Sequence, residues 1–285
     1  MIDTSQRWLR VVIPAHDERE MIEHSLSALL EQDTDVRLEI VVVAAACSDE
    51  TAGITRDIAA RAAERGHGLR TIEIDVADKA AALDAGDAAL LEIEAVATPA
   101  IGTLYLDADT VLSSGVIRDC VDAIDRGAHL AAPGVRFRYP RGFTSRRFLR
   151  VYQILPNVRD SPSGRGCYLV STPGRRRWQH FPPALPDDAF VRAHFARTET
   201  AIAAAETSLV HFPCDDRLVA VVARWRQGNA ALRASRPSHP IDRWARCSGL
   251  WAVARTPSAW LALPTFLIIR WRASRHTSDS WVRGR

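Results

Sequence analysis

Asp107 and Asp109 stand one residue apart in the stretch TLYLDADTVL, residues 103–112, directly after the apolar run Leu104 to Leu106. Two carboxylates at a strand end form a hard-oxygen site suited to Mg²⁺ or Mn²⁺ and, through such an ion, to a diphosphate. In open α/β sheets ligands collect just outside the carboxyl ends of the strands, so position and chemistry agree. A second acidic pair, Asp17 and Glu18, follows the strand-like VVIPA of residues 11–15, with oxygens available to ribose hydroxyls or base N–H groups. Asp49 and Thr51 occupy a polar turn after the apolar residues 41–46. Lys79 begins a helical stretch, where an ammonium can meet phosphate. The chain has 36 Arg and this single Lys, which singles the position out. Asp187 and Asp188 open another helical stretch within FPPALPDDAFVRAHF, residues 181–195.

These residues need elements to carry them. Short apolar runs predict strands at 9–14, 38–45, 69–74, 102–107 and 129–137. Helical periodicity fits 18–31, 51–65, 79–91 and 114–126. Alternation of the two is the pattern of βα units and a mainly parallel sheet. Asp17 is expected to cap the first helix, and Ser113 or Ser114 the one after Asp109. The second half is less regular, with Arg at 136, 138, 141, 146, 147 and 150, a run from Arg175 to Arg177, and a predicted helix over 215–233.

A chain of 285 residues suits one large α/β domain or one with an appended subdomain. Cys47, Cys120, Cys167, Cys214 and Cys247 are scattered and lack metal-ligand spacing, which fits a reducing cytosol rather than a disulfide framework. No charged-then-apolar leader precedes Trp8. The net charge of +3 conceals an asymmetry, because residues 217–285 carry 13 Arg against Asp242 and Asp279 and leave the remainder at −8. Six of the eight Trp lie after Arg224. A basic, Trp-rich C-terminal part points to an anionic surface. The apolar run Ala259 to Ile269 is too short to span a bilayer and contains Pro264. Followed by Arg270, Arg272 and Arg275, it could lie at a membrane interface or pack on the catalytic domain as an amphipathic helix.

Four blocks line up in order: VVIPAHDE at 11–18, VVVAAACSDET at 41–51, KAAALDAG at 79–86, and the D-x-D strand. Together they resemble the family 2 nucleotide-sugar glycosyltransferases of the GT-A fold. That pattern runs I-P-x-x-N-E, then S/C-x-D-x-T, then K-x-x-A-L-N-x-G, then D-x-D. A fifth block, GRGCYLVS at 164–171 followed by the Asp187–Asp188 pair, matches a glycine-containing strand and an acidic pair at a helix start. The resemblance covers about residues 9–230 and implies an α/β GT-A domain over 1–215 with a helical extension over 216–285. It implies nucleotide-sugar contacts from Pro14, Asp17, Glu18, Asp49, Lys79, Asp107 and Arg165, and a divalent cation held by Asp109 with Asp107 assisting. Asp188 is then the candidate base, and Asp187 orients it or contacts the acceptor.

Such an enzyme moves a sugar from a nucleoside-diphosphate sugar to an acceptor hydroxyl with inversion, as in cell-envelope polysaccharide synthesis. The acceptor is a glycan, a glycolipid or a small molecule. A cytoplasmic location, peripheral at the inner face of a membrane, accords with the basic tail and a lipid-linked acceptor. Departures from the pattern are informative. Ala45 replaces an Asp associated with the base, and Asp17 and Asp84 replace Asn. The Q-x-x-R-W motif of processive members is reduced to Arg224-Trp225, with Val221 in place of Gln, which favours a single transfer. A sugar nucleotidyltransferase would carry a glycine-rich loop after the first strand, and residues 14–20 contain no Gly. No nucleic-acid motif marks the tail. The competing reading is a catalytically degenerate, transferase-like nucleotide-binding module.

Overall fold

The computed structural model describes residues 7–94, 99–183, 186–235, 249 and 251–276. Much of the expected basic extension, including Asp242, Trp244, Asp279 and Trp281, lies outside the described residues, as do positions 184 and 185 in the fifth block. Two compact units emerge. The first takes in 1–136, 165–183 and 194–210; the second takes in 137–164, 184–193 and 211–285. The boundary expected at 215 falls inside the second unit.

One eight-stranded sheet runs in the order β3-β2-β1-β4-β7-β6-β8-β5. Its strands are β1 (Trp8–Ala15), β2 (Arg37–Ala45), β3 (Gly68–Ile74), β4 (Gly102–Leu106), β5 (Val111–Leu112), β6 (Leu130–Arg138), β7 (Cys167–Ser171) and β8 (Thr200–His211). The first four neighbours, β3, β2, β1 and β4, pair in parallel. Beyond β4 the register turns antiparallel, β7 to β4, β6 to β7 and β5 to β8. The sheet is therefore parallel over β3, β2, β1 and β4, and antiparallel in the pairings β4–β7, β6–β7 and β5–β8.

Every residue of β1 and of β4 is buried, as a strand covered on both faces requires. Alternation then sorts the β1 side chains. Leu9, Val11 and Ile13 join one core with α1 (Ile22–Leu30), α2 (Thr51–Glu64) and α4 (Val116–Asp125). Within α1, Ile22, Leu26, Leu29 and Leu30 supply the buried stripe, each worth about 1.5–3 kcal/mol of burial. Val12 points the other way, towards α3 (Lys79–Glu94), where Gly86 lies so close that a Cβ would stand 2.5 Å from Val12 Cγ1. The glycine of the third sequence block is thus what lets α3 seat directly on β1.

The predicted helix at 18–31 begins only at Ile22, and neither its N-cap Met21 nor Gly115, which caps α4, makes a side-chain capping bond. Asp17 and the serines at 113 and 114 do not cap these helices. Ser113 Oγ instead donates to the Thr207 carbonyl at 2.9 Å and to Glu206, tying the start of α4 to β8.

The second unit is helical. Phe148 and Leu149 of α5 (Phe143–Tyr152), Leu218 and Val222 of α9 (Asp215–Ser235), and Phe266 and Ile269 of a C-terminal helix (Leu263–Ser274) form its core. Short helices fill the connections, α6 (Pro156–Arg159), α7 (Thr172–Arg175) and α8 (Asp187–Arg192); of these, α7 belongs to the first unit. Trp225 stacks on Tyr152 with ring centroids 5.2 Å apart. The residual Arg-Trp pair of the sequence therefore gives its tryptophan to the core. Among the described residues, no helix is long and apolar enough to cross a membrane.

Candidate functional site

Strand order locates the site. The chain builds β1, β2 and β3 outwards in one direction, then returns through α3 to place β4 on the opposite side of β1. Neighbouring strand ends at β1 and β4 therefore open onto loops that run apart, the switch point at which open α/β sheets bind ligands. Pro14 lies within β1 with Asp17 and Glu18 just beyond its end, Asp107 and Asp109 follow β4, and Lys79 opens the helix between. Six residues singled out from sequence thus lie at or just beyond the β1 and β4 strand ends or at the start of α3.

The loops after β1 and β2 are fastened together. Asp17 has φ of 52° and Ala46 φ of 48°, both in the left-handed region that costs a non-glycine residue of order 1 kcal/mol or more. Hydrogen bonds hold them there. Asp17 Oδ1 accepts from the Ser48 amide at 2.6 Å and from Ser48 Oγ at 3.1 Å. The Ala46 amide donates to the Ile74 carbonyl at 2.7 Å. Thr51 Oγ1 accepts from the Glu18 amide at 2.7 Å and donates to Asp49 Oδ1. Asp49 also accepts from the amides of Thr51 and Arg19. Burial alone would raise the Asp49 carboxyl, but these bonds prevail and hold it below the usual carboxylate range. Asp49 thus braces the loop, with Glu50 as the N-cap of α2. Family pattern at 47–51 reads here as a loop lock.

Cys47, read from sequence only as one of the scattered cysteines, and His16, not singled out there, also lie beside these loops. Cys47 Sγ accepts from the Asp17 amide at 3.3 Å and donates to the Ala15 carbonyl. Burial, followed by the nearby Asp49, pushes its thiol up, so it is a poor nucleophile. His16 Nδ1 lies 2.7 Å from the Ala45 carbonyl, to which it donates. Only their place in the first two blocks could have marked them.

The D-x-D sits on a tight turn closed by the Thr110 amide on the Asp107 carbonyl at 3.0 Å. The Asp107 amide in turn donates to the Gly166 carbonyl at 2.8 Å. Gly166 has φ of 65°, and a Cβ there would stand 2.1 Å from Thr110 Oγ1. Only glycine lets the strand of the fifth block approach the acidic turn so closely. Lys79 Nζ donates to Asp107 Oδ1 at 2.7 Å, with both side chains partly open to solvent. A cation therefore already faces the first acid of the pair.

Three other arginines carry bonds to the fold itself. Arg165 is 2% exposed, and its Nη1 donates to the Pro133 carbonyl at 2.8 Å. Arg175 bridges buried groups, donating to Asp87 at 2.7 and 2.8 Å, to Tyr105 Oη at 2.9 Å and to the Trp178 carbonyl at 2.7 Å. Tyr105 Oη also donates to both Asp87 oxygens. Arg177 is held by Glu199 at 2.6 Å and by the His194 carbonyl. Within the run from Arg175 to Arg177, Arg175 and Arg177 are thus both bound to groups of the fold. Asp84, where the family has Asn, accepts from the Phe181 amide at 3.0 Å and meets His180 at 3.2 Å, anchoring the 180–181 segment to α3.

Asp187 and Asp188 lie in the second unit, in the first turn of α8. Asp188 Oδ1 accepts from the Ala189 amide at 2.7 Å, and Oδ2 accepts from the Gly164 amide. Two amides thus fix the orientation of this carboxylate. Burial, and then the charge of Asp188, push the Tyr152 phenol up.

Residues 10–181 match the family model described as Glycosyl transferase family 2. The chain belongs to that family. Solved structures of glycosyltransferases share its fold. The mannosyltransferase PcManGT from Pyrobaculum calidifontis, in complex with GDP-Man and Mn²⁺, superposes with a TM-score of 0.60 at 20% identity, covering 96% of this chain and 77% of that one. TarS residues 1–349 from S. aureus give 0.55 at 13%, covering 95% and 73%. Glucosyl-3-phosphoglycerate synthase from Mycobacterium tuberculosis, with Mn²⁺, UDP-glucose and phosphoglyceric acid, gives 0.52 at 19%, covering 81% and 80%. A search of curated protein sequences returns no match.

For this family 2 glycosyltransferase, two acidic groupings bear on a metal. Asp107 and Asp109 offer hard oxygens that suit Mg²⁺ or Mn²⁺, and Lys79 shows that the Asp107 carboxylate accepts a cation. Asp17, Cys47 and Asp49 bring three ligand atoms within 4.8 Å of one another, but their hydrogen bonds to Ser48, Thr51 and Ala15 already lock the loop. Asp107 and Asp109 are the residues that could hold a divalent ion at the D-x-D.

Proposed function

We propose that this glycosyltransferase moves a sugar from a nucleoside-diphosphate sugar to an acceptor hydroxyl, with inversion and one transfer per encounter. The observation that carries the reading is the convergence of Asp107, Asp109 and Lys79 on the switch point of the sheet. Two proteins of the same fold hold Mn²⁺ with a nucleotide sugar, which supports the donor class.

In this reading Pro14, Asp17 and Glu18 shape the nucleoside end of the donor site, Asp49 keeps its loop in place, and Lys79 faces the diphosphate. Asp109 and Asp107 would hold a divalent ion, which would supply positive charge against the negative charge that develops on the leaving nucleoside diphosphate. Asp188 is the general base. It takes the proton of the acceptor hydroxyl as that oxygen bonds to the anomeric carbon and the bond to the diphosphate breaks on the opposite face. Asp187 orients Asp188 or contacts the acceptor. Arg165, which also donates to the Pro133 carbonyl, adds positive charge to the nucleotide-sugar site. A lipid-linked acceptor belongs to the same reading.

The test joins binding to turnover. Thermal stabilisation by UDP, GDP, dTDP and CDP, with and without Mn²⁺, should be selective and metal-dependent, since a ligand that binds only the native state raises its stability. Asp188→Asn should keep that stabilisation and lose at least about a hundredfold in transfer or donor hydrolysis. Stabilisation without any turnover in the wild type would make the chain a nucleotide-binding module, and no stabilisation at all would remove the donor site.

A further inference from the structure

The C-terminal helix Leu263–Ser274 has two unlike apolar faces. Phe266, Ile269 and Ala273 are buried against α5 and α9. On the other side Leu267, Ile268 and Trp271 are each more than half exposed, as are Trp260 and Leu261 just before the helix. At about 100° per residue, Leu267, Ile268, Trp271 and Arg275 fall within roughly one quarter to one third of the helix circumference, opposite the buried stripe. Arg270 and Arg272 flank this arc on its two sides.

Two properties separate this face from ordinary surface. First, large apolar side chains are contiguous along it, whereas a soluble surface scatters them singly. Secondly, its polar groups carry one sign. Between 217 and 276 the sequence has a single acidic residue, Asp242. Arg275 lies 4.1 Å over the ring of Trp271, and Arg255 lies 4.8 Å over Trp251, which is also exposed. Indole rings with guanidinium groups beside them suit a boundary that is apolar on one side and anionic on the other. A twelve-residue helix lies along such a boundary and does not cross it.

We propose that this face docks flat on an anionic phospholipid bilayer, with Leu267, Ile268 and Trp271 entering the acyl boundary and Arg270, Arg272 and Arg275 meeting lipid phosphates. Both halves of the face are needed. Apolar insertion alone would not discriminate between lipids, and the arginines alone would be reversed by salt. Docking itself stands apart from the donor site; that it delivers the enzyme to a lipid-linked acceptor rests on the function proposed above.

Flotation of the full-length protein with phosphatidylcholine vesicles, with and without phosphatidylglycerol, tests the docking. Wild type should partition at least about tenfold more strongly onto the anionic vesicles, the scale expected for several arginines near such a surface. The exposed-face variant Leu267→Asp/Trp271→Asp should lose that binding by about tenfold or more, as should the charge-reversed Arg272→Glu/Arg275→Glu. Both variants should keep the wild-type melting temperature and nucleoside-diphosphate stabilisation, because all four substituted side chains are exposed. Equal recovery with neutral and anionic vesicles would overturn the proposal, as would undiminished binding by the variants. A wild-type dimer dissolved by Leu267→Asp/Trp271→Asp would assign the face to a second copy of the chain, and vesicle binding abolished by competing oligonucleotide would assign it to nucleic acid. Vesicle binding that persists when no nucleoside diphosphate stabilises the protein would refute the donor reading and leave the docking intact.

Discussion

Removing the Lys79 ammonium should move two affinities in opposite directions. Lys79 Nζ stands 2.7 Å from Asp107 Oδ1, and the two side chains are 30% and 40% exposed. Unit charges about 4 Å apart attract by about 4 kcal/mol at an effective dielectric of about 20. Water and salt reach both groups, which reduces the pair to about 1 kcal/mol, or about fivefold in a binding constant. In Lys79→Met a divalent ion no longer competes with the ammonium for Asp107, so Mn²⁺ should bind the free protein about fivefold more tightly. A nucleoside diphosphate without metal loses an attractive charge and meets an unneutralised carboxylate, so it should bind about five- to tenfold more weakly. Lys79→Arg should restore most of the nucleotide affinity. Calorimetric titration with the preferred nucleotide in chelator, and separate titration of Mn²⁺ by electron paramagnetic resonance, would measure the two. If both affinities fall together, or neither changes, the ammonium does not share the site with metal and phosphate, and the reasoning fails.

Two further perturbations test the frame behind the site. Arg175→Met strips the partner from Asp87, whose side chain is only 10% exposed, and should cost about 3–5 kcal/mol of stability in urea unfolding. Burial already raises the Asp87 carboxyl despite the charge of Arg175. Its contribution is therefore full below the unfolded pKa and declines as pH rises through the higher folded value; Arg175→Met should steepen that decline. Asp215 behaves in the opposite sense. It accepts from the Ser145 amide at 2.7 Å and the Thr144 amide at 3.2 Å at the start of α5. Against the effect of burial these bonds lower its carboxyl, so its contribution is present above the unfolded pKa and lost as pH falls through the lower folded value. Asp215→Ala should cost about 1 kcal/mol at neutral pH and flatten the acid limb of a urea-midpoint profile.

What was legible in the sequence was local. Apolar runs of the right length marked β1, β2 and β4 nearly to the residue, because a strand covered on both faces is largely apolar along its length; β3, only partly buried, was placed as closely. The first helix began four residues late because Asp17 adopts a left-handed conformation and bonds to Ser48, and no single-segment pattern contains Ser48 as its partner. The sequence blocks named the acids and the lysine without saying which of them meet.

The amino-acid sequence by itself determined the order of elements through the first half, the family and the chemical types at those strand ends, since periodicity and short motifs are properties of contiguous residues. Tertiary structure alone decided partnership. The return through α3 brought Lys79 onto Asp107. Packing turned Arg165 and Arg175 inwards to satisfy a carbonyl and a buried carboxylate, because a charge removed from water must find a partner wherever the fold supplies one. It also took Trp225 and Phe266 into the second core and left Leu267, Ile268 and Trp271 outside. Two faces of one apolar helix look alike in sequence, and only the neighbours that cover one of them tell the faces apart.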